Sequence, residues 1–365
     1  MARALPALLA LSLAALSCKQ SPRIGPETGP STPEPEAAAT TPGATGPGAQ
    51  QVASLGTCTL ESGEKITDCK VGYRTFGKLD AKRGNVVLFP TWFTGATGSL
   101  VDVVPDKLVD TKRFYVVLVD ALADGVSSSP SNAKEQGRLR FPKVTIGDMV
   151  ESQRRLLREV LKVDHVHTVM GISMGGMQAL EWATRHPTEL DHVASIVGTP
   201  QLTSQDLLLW TAELHALESD VAYKGGEYTG RPQLKAVQDI HHMMLTTPAY
   251  RAKETSRAEF PTWISKIESD VAFDWNDWRR QLEAMMAHDV ARADDGKLEQ
   301  AAKRVKAKAL LVVDADDHMV HPEPSRVFAR AAGAKLVELH TGCGHMAPGC
   351  AAAEVTQAVA ALLAQ

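Results

Sequence analysis

The chain has 365 residues, of which 44% are hydrophobic and 22% charged, and its formal net charge is −4. These proportions are ordinary for a globular protein with a hydrophobic core, and the length suffices for one large domain that carries an insertion. Lys and Arg form neither a basic stripe nor a long run, so the sequence gives no support for nucleic-acid binding.

The first eighteen residues have the pattern of a signal peptide. An apolar run from Ala4 to Leu16 follows a single Arg and is shorter than the ~20 residues that span a bilayer. Cys18 stands where bacterial lipoproteins are lipidated, although Ala15 occupies a position that is usually Leu. The sequence predicts an exported protein, periplasmic or at the cell surface, anchored to a bacterial membrane through Cys18. Simple secretion after cleavage nearby is the alternative.

The next segment, residues 19–52, is rich in Pro, Gly, Thr and Ala. A chain of this composition has few apolar side chains to bury, so it is predicted to be a disordered linker. Such a linker would tether a folded enzyme to a lipidated N-terminus.

Four further cysteines form two local pairs. Cys58 and Cys69 lie in two predicted strands, and a four-residue loop from Ser62 to Lys65 would place them directly opposite each other. Cys343 and Cys350 lie seven residues apart in a predicted loop. Each pair is predicted to be a disulfide or, alternatively, two buried thiols. Their spacing matches no zinc site.

From residue 85 onward, short β-branched runs alternate with amphipathic segments. The runs are almost continuously apolar, which is typical of strands covered on both faces in a parallel sheet. This alternation predicts an α/β fold with a mostly parallel sheet. The predicted strands are 85–90, 114–120, 166–173, 192–198, 309–315 and 335–340, and the predicted helices are 145–161, 322–333 and the tail from Ala351.

The alternation stops between residues 199 and 300, where only helix-like segments follow one another. We therefore expect an all-helical lid, 199–300, inserted into a core formed by 53–198 and 301–365. The insertion carries four of the six tryptophans, which are expected mainly to hold helices together. An insertion of this kind over an α/β sheet usually covers the active site.

The segment Gly171-Ile172-Ser173-Met174-Gly175 joins a predicted strand to a predicted helix. In this context Gly-x-Ser-x-Gly predicts a nucleophilic serine on a strained turn, with the N–H of Met174 free to bind an oxyanion. A structural Ser173 at a helix N-cap is the alternative. The second oxyanion N–H is expected from Phe93, or else Trp92, after the strand at 85–90.

A serine hydroxyl needs a base, and loops after later strands offer one. His345 lies in a glycine-bounded loop past the last strand, and Asp317 lies in the loop after the strand at 309–315, with Asp316 as the fallback. The acid would fix the histidine tautomer. Other histidines, including those at 241–242, match no metal-ligand spacing, so neither a metal nor a cofactor is predicted.

The segments "SMGGMQALEWA", "FPKVTIGDMVESQRRLL" and "LESGEKITDCKVGYRTFGKL" resemble the homoserine O-acetyltransferase family of the α/β-hydrolase fold. The resemblance implies this fold and a triad of Ser173, Asp317 and His345. It also implies acyl transfer through an acetylated serine from acetyl-CoA to homoserine, and it aligns "TWFTG" with the family's oxyanion loop. Leu214 stands where the family places an arginine that holds the homoserine carboxylate.

An exported protein would not ordinarily meet acetyl-CoA, and without the arginine the homoserine carboxylate loses a charge-assisted contact. We therefore expect a serine ester hydrolase that acts through an acyl-enzyme on small acyl esters. A homoserine O-acetyltransferase that uses acetyl-CoA is the first alternative, and a catalytically inactive surface binding module is the second. A homodimer is possible in each case.

Overall fold

The computed structural model describes Gly46 and residues 48–270 and 272–365. The predicted signal peptide with Cys18, and most of the predicted linker, lie outside the described residues. The first strand begins at Gln51, two residues before the predicted start of the core at residue 53.

An eight-stranded sheet lies at the centre of the fold. Its strands are β1 (Gln51–Thr59), β2 (Lys65–Phe76), β3 (Val86–Pro90), β4 (Tyr115–Val119), β5 (Val166–Ile172), β6 (Leu190–Ile196), β7 (Lys308–Asp314) and β8 (Lys335–Leu339). The strand order is β1-β2-β4-β3-β5-β6-β7-β8. β1 and β2 pair antiparallel with their neighbours, whereas β3 to β8 are parallel. The mostly parallel α/β sheet is thus confirmed, with strand ends within two residues of the prediction.

Both faces of this sheet are covered. In β3, Val86 and Leu88 belong to one buried hydrophobic cluster, while Val87 and Phe89 belong to another on the opposite face. A strand that is buried on both sides must be apolar at every position, which explains the continuous apolar runs of the sequence.

The N-terminal hairpin departs from the predicted register. Cys58 pairs with Ile66 rather than with Cys69, which lies opposite Gly56. The predicted direct opposition is wrong because the register shifts on both sides of Gly56, a residue with a φ of +65°. Cys58 and Cys69 nevertheless form a disulfide, since their Cα atoms lie 5.6 Å apart, within the range that a disulfide spans.

Helices cover the sheet and form the insertion. They are α1 (Thr97–Leu100), α2 (Ile146–Arg155), α3 (Met174–Arg185), α4 (Ser204–Ser219), α5 (Lys235–Leu245), α6 (Pro248–Glu254), α7 (Phe260–Glu268), α8 (Trp275–Met286), α9 (Leu298–Ala302), α10 (Glu323–Ala332), α11 (Ala347–Cys350) and α12 (Ala352–Leu363). α2 starts with a capping box of Thr145 and Asp148 and continues as a π-helical segment, Leu156–Leu161.

The lid consists of α4 to α9. Its described residues contain no strand, only an isolated bridge between Gln201 and Asp289. Helix α8 joins the lid to the core, because Asp277 accepts hydrogen bonds from the N–H of Ser131 at 2.9 Å and from its hydroxyl at 2.5 Å. The lid is therefore held over the loops that follow the parallel strands.

Across the described residues, no single helix has the length and hydropathy of a membrane span. The adjoining segments Gly344–Cys350 and Ala352–Leu363 reach that length and composition only as a pair, and the two are bent by 76°.

Candidate active site

Ser173 lies on a strained turn between β5 and α3. Its φ is 55° and its ψ is −120°, a region that residues with a side chain rarely occupy. The turn needs its glycines, because a Cβ on Gly171 would come within 2.3 Å of the Gly175 carbonyl carbon. The Ser173 side chain makes no cap hydrogen bond to α3, so the N-cap alternative does not describe it. The backbone instead presents the hydroxyl above the carboxyl end of the sheet.

The structure brings Ser173, His345 and Asp317 into one hydrogen-bonded row. The Ser173 hydroxyl lies 2.8 Å from Nε2 of His345, and Nδ1 of His345 lies 2.7 Å from Oδ2 of Asp317. Because a carboxylate accepts, Nδ1–H donates to Asp317, which leaves Nε2 to accept the serine proton. His345 is 7% and Asp317 3% exposed, so water competes little for these contacts.

The three neighbouring aspartates have separate roles. Oδ1 of Asp317 accepts from the N–H groups of Met319 and Val320, which leaves Oδ2 facing the histidine. Asp314 is fully buried and binds the N–H and hydroxyl of Thr341. Asp316, the fallback acid, is exposed, and its carboxylate makes no hydrogen bond within the described residues.

His345 lies on a tight turn closed by a covalent bond. Gly342 and Gly344 have positive φ values of 68° and 65°, and a disulfide joins Cys343 to Cys350 around the histidine. Side chains rarely adopt such φ values, so glycine at these positions allows the turn.

Three backbone N–H groups around the predicted oxyanion hole have no hydrogen-bond partner in the described residues. Neither the N–H of Met174 nor that of Phe93 has a hydrogen-bond partner in the described part of the chain. The N–H of Trp92 is also unpaired there, so both choices for the second donor stay open. Met174 begins α3, and the positive end of the helix dipole adds to its attraction for a negative oxygen.

The lid supports the oxyanion loop through a residue that the sequence did not single out. The fully buried Gln281 of α8 accepts a 2.9 Å hydrogen bond from the N–H of Thr94, whose φ is 61°. Gln281 and Thr94 are 187 positions apart, and no motif links them, so only the folded lid reveals the contact.

Leu214 is half-buried in α4 and packs against the main hydrophobic cluster. It brings no charge to a substrate carboxylate. Among the described residues, no group of three or more His, Cys, Asp or Glu side chains is arranged to hold a metal ion.

The comparison with known proteins defines the class of protein to which this chain belongs. Residues 85–348 match the family described as "alpha/beta hydrolase fold". This chain belongs to that family, and a row of Ser173, His345 and Asp317 on such a fold marks an enzyme.

Within the family, the relatives are esterases and homoserine O-acyltransferases. A probable esterase of Corynebacterium glutamicum is 30% identical over 291 residues, which cover 74% of this chain and 81% of that protein. A homoserine O-acetyltransferase of Clavibacter michiganensis is 31% identical over 350 residues, covering 80% of this chain and 87% of that protein. A crystal structure of an acetylester hydrolase from Corynebacterium glutamicum has a TM-score of 0.81 at 24% identity and covers 87% of this chain and 96% of its own. The resemblance drawn from the sequence is confirmed.

Proposed function

We propose that this protein is an exported serine ester hydrolase that acts through an acyl-enzyme on Ser173. The observation that carries the proposal is the hydrogen-bonded row of Ser173, His345 and Asp317 beside unpaired N–H groups. A structural serine needs neither an aligned imidazole nor free oxyanion donors.

The residues have distinct tasks in this reaction. Ser173 Oγ attacks the ester carbonyl while Nε2 of His345 takes its proton. The N–H of Met174, together with that of Phe93 or Trp92, binds the developing oxyanion. The alkoxy group leaves with the proton from His345, and the acyl group stays on Ser173. Water then attacks the acyl-enzyme while Nε2 takes its proton. His345 returns that proton to Ser173 Oγ as the bond between the acyl group and Oγ breaks and the acid is released.

Water is the favoured acceptor for a reason found in the lid. Leu214 offers no charge at the position where the resemblance expects an arginine for the homoserine carboxylate. A charge-assisted hydrogen bond contributes about 1.5–3 kcal/mol, so homoserine would bind roughly tenfold to a hundredfold more weakly without it. The esterase relative supports the same reading.

An ester panel tests the proposal. The purified protein is assayed with p-nitrophenyl esters of increasing acyl length, and beside them for CoA release from acetyl-CoA with homoserine. We expect ester hydrolysis, no homoserine-dependent CoA release, and a loss of at least ~10³-fold in Ser173→Ala. Homoserine-dependent release faster than hydrolysis would establish the acetyltransferase instead. Absence of fluorophosphonate labelling at Ser173 would favour the binding module.

Export is supported by the cysteines as well as by the N-terminal pattern. Cys58–Cys69 and Cys343–Cys350 are both disulfides, and such bonds persist in oxidising compartments. We expect metabolic labelling with palmitate in a bacterial host, and its loss in Cys18→Ser together with release from the membrane fraction. A full-length protein found unlabelled in the cytoplasm would contradict both the export and the anchor.

A further inference from the structure

The lid contains a buried acid–histidine pair that the proposed reaction does not use. Glu213 of α4 is 0% exposed, and its Oε1 lies 3.1 Å from Nδ1 of His241 on α5. The other carboxylate oxygen of Glu213 is buried without a partner in the described residues. Burying a carboxylate is costly unless a polar group compensates it, so a pair kept in this setting calls for an explanation.

The contact with Glu213 fixes the orientation of the imidazole. Because the carboxylate accepts, Nδ1–H of His241 donates, and Nε2 points away from Glu213. No partner for Nε2 exists among the described residues. The side chain keeps 12% of its surface exposed, so this nitrogen can still meet a small molecule.

His241 lies beside the elements that carry the reaction. Its ring centroid is 5.7 Å from that of Phe93, the predicted oxyanion residue, and 5.0 Å from that of Trp278. Helix α5 also packs against the turn Gly344–Met346, which carries His345. Just after α5, the backbone of Thr247 approaches Gly344 closely. A Cβ added to this glycine would lie 3.2 Å from the backbone nitrogen of Thr247. His241 thus contacts the oxyanion loop, and the helix that carries it packs on the turn of the catalytic histidine.

The alcohol part of the ester lies on the His345 side of the reaction centre. The alkoxy oxygen must lie within hydrogen-bond reach of Nε2 of His345, which returns the proton to it. Helix α5 of the lid packs on that turn, so there is a lid surface towards which the rest of the alcohol can extend.

We propose that His241, held by Glu213, binds a second hydroxyl group on the alcohol part of the substrate. The preferred substrates are then short-chain acyl esters of polyols rather than of simple alkanols. This inference rests on the proposed ester hydrolysis and names its substrate class. A phenyl ring can reproduce the aromatic contacts of His241 with Phe93 and Trp278, but it cannot accept the hydrogen bond that Nε2 takes from a substrate hydroxyl. This difference separates binding from packing.

A matched pair of esters tests the inference. Glycerol monoacetate and propyl acetate share the acyl group and the three-carbon alcohol but differ in two hydroxyls. For the full-length protein we expect kcat/KM about tenfold higher for glycerol monoacetate, the effect of one good hydrogen bond. His241→Phe should bring the ratio to about one, while His241→Gln, which can still place an amide near the Nε2 position, should keep part of it.

The neighbouring histidine supplies the control. His242 donates from Nδ1 to the Gln238 carbonyl and meets Trp263 edge to face, so His242→Phe should keep the wild-type ratio. Glu213→Leu keeps the imidazole but removes the carboxylate that orients it, so it should lower the ratio. This variant replaces His241→Phe in the test if His241→Phe does not fold. If the His241 and Glu213 variants hydrolyse both esters with the wild-type ratio of kcat/KM values, this inference is overturned while the proposed function stands. Hydrolysis of neither ester by the wild type would overturn the proposed function and this inference with it.

Discussion

Two adjacent carboxylates in one loop have very different surroundings. Asp317 is buried, accepts two backbone N–H groups on one oxygen and meets His345 with the other. Asp316 is exposed and lies next to it in sequence. Only the first can hold the imidazole tautomer and stabilise its protonated form during proton transfer.

Asp317→Asn is therefore expected to lower kcat by about 10⁴-fold with a normal fold, because the amide can donate to Nδ1 and favour the wrong tautomer. Asp316→Asn should stay within about twofold of the wild type, since its exposed side chain takes no part in the hydrogen bonds of the row. Steady-state kinetics with a p-nitrophenyl ester measure both. Equal losses in the two variants would mean that the loop, rather than the Asp317 carboxylate, controls activity.

The sequence was informative about residues whose chemistry depends on local context. Ser173 is identified by its strand, turn and glycines, and His345 by its loop after the last strand. Gln281 and the pair Glu213–His241 could not be found in this way. Gln281 contacts the core loop at Thr94, whereas Glu213 and His241 lie on two different helices of the lid. Neither a glutamine nor a histidine in a helix has a local pattern that indicates such contacts.

At the scale of elements, the parallel strands were predictable because burial on both faces demands apolar residues throughout. The register of the N-terminal hairpin could not be predicted. A residue such as Gly56 can adopt a positive φ and shift the pairing, and hydrophobic alternation alone does not reveal whether it does.

The turn that carries His345 depends on its disulfide. Cys343–Cys350 closes the short loop around the histidine, and the two glycines beside it would otherwise leave its backbone free to move. We expect Cys343→Ser with Cys350→Ser to lower kcat about tenfold, because a small displacement of the imidazole weakens both proton transfers. Ester kinetics and a thermal melt on the same sample separate this effect from unfolding.

The second disulfide provides the control for this prediction. Cys58–Cys69 lies in the N-terminal hairpin, away from the catalytic row, so Cys58→Ser with Cys69→Ser should lower the melting temperature with kcat near the wild-type value. If both double variants lost stability alone and kept kcat, the Cys343–Cys350 bond would have no part in positioning His345.

At the scale of the whole molecule, the lid and the core meet through buried polar groups. Among them is His288, which follows α8 and donates from Nε2 to the carbonyl of Thr199 at 3.0 Å. Its Nδ1 is buried without a partner in the described residues, and Glu181 lies 4.0 Å away. Burial, together with the positive charge of Arg292, lowers the pKa of His288 to about 4.

This lowered pKa makes His288 a source of acid sensitivity. The unfolded chain binds a proton on this histidine below its ordinary pKa of about 6.5, whereas the folded chain does so only near 4. The free energy of unfolding that depends on His288 is thus fully present above pH 6.5 and is lost as the pH falls towards 4. The loss amounts to about 3 kcal/mol, at ~1.4 kcal/mol per unit of pKa.

His288→Gln keeps a donor for the Thr199 carbonyl but does not titrate. We expect its free energy of unfolding, measured by urea denaturation between pH 7 and 4.5, to fall less steeply with acid than that of the wild type. Burial raises the pKa of Glu181, which gives the opposite slope, but Glu181 is present in both proteins and its contribution largely cancels in the comparison. Parallel curves for the two proteins would show that His288 does not couple the docking of the lid to pH.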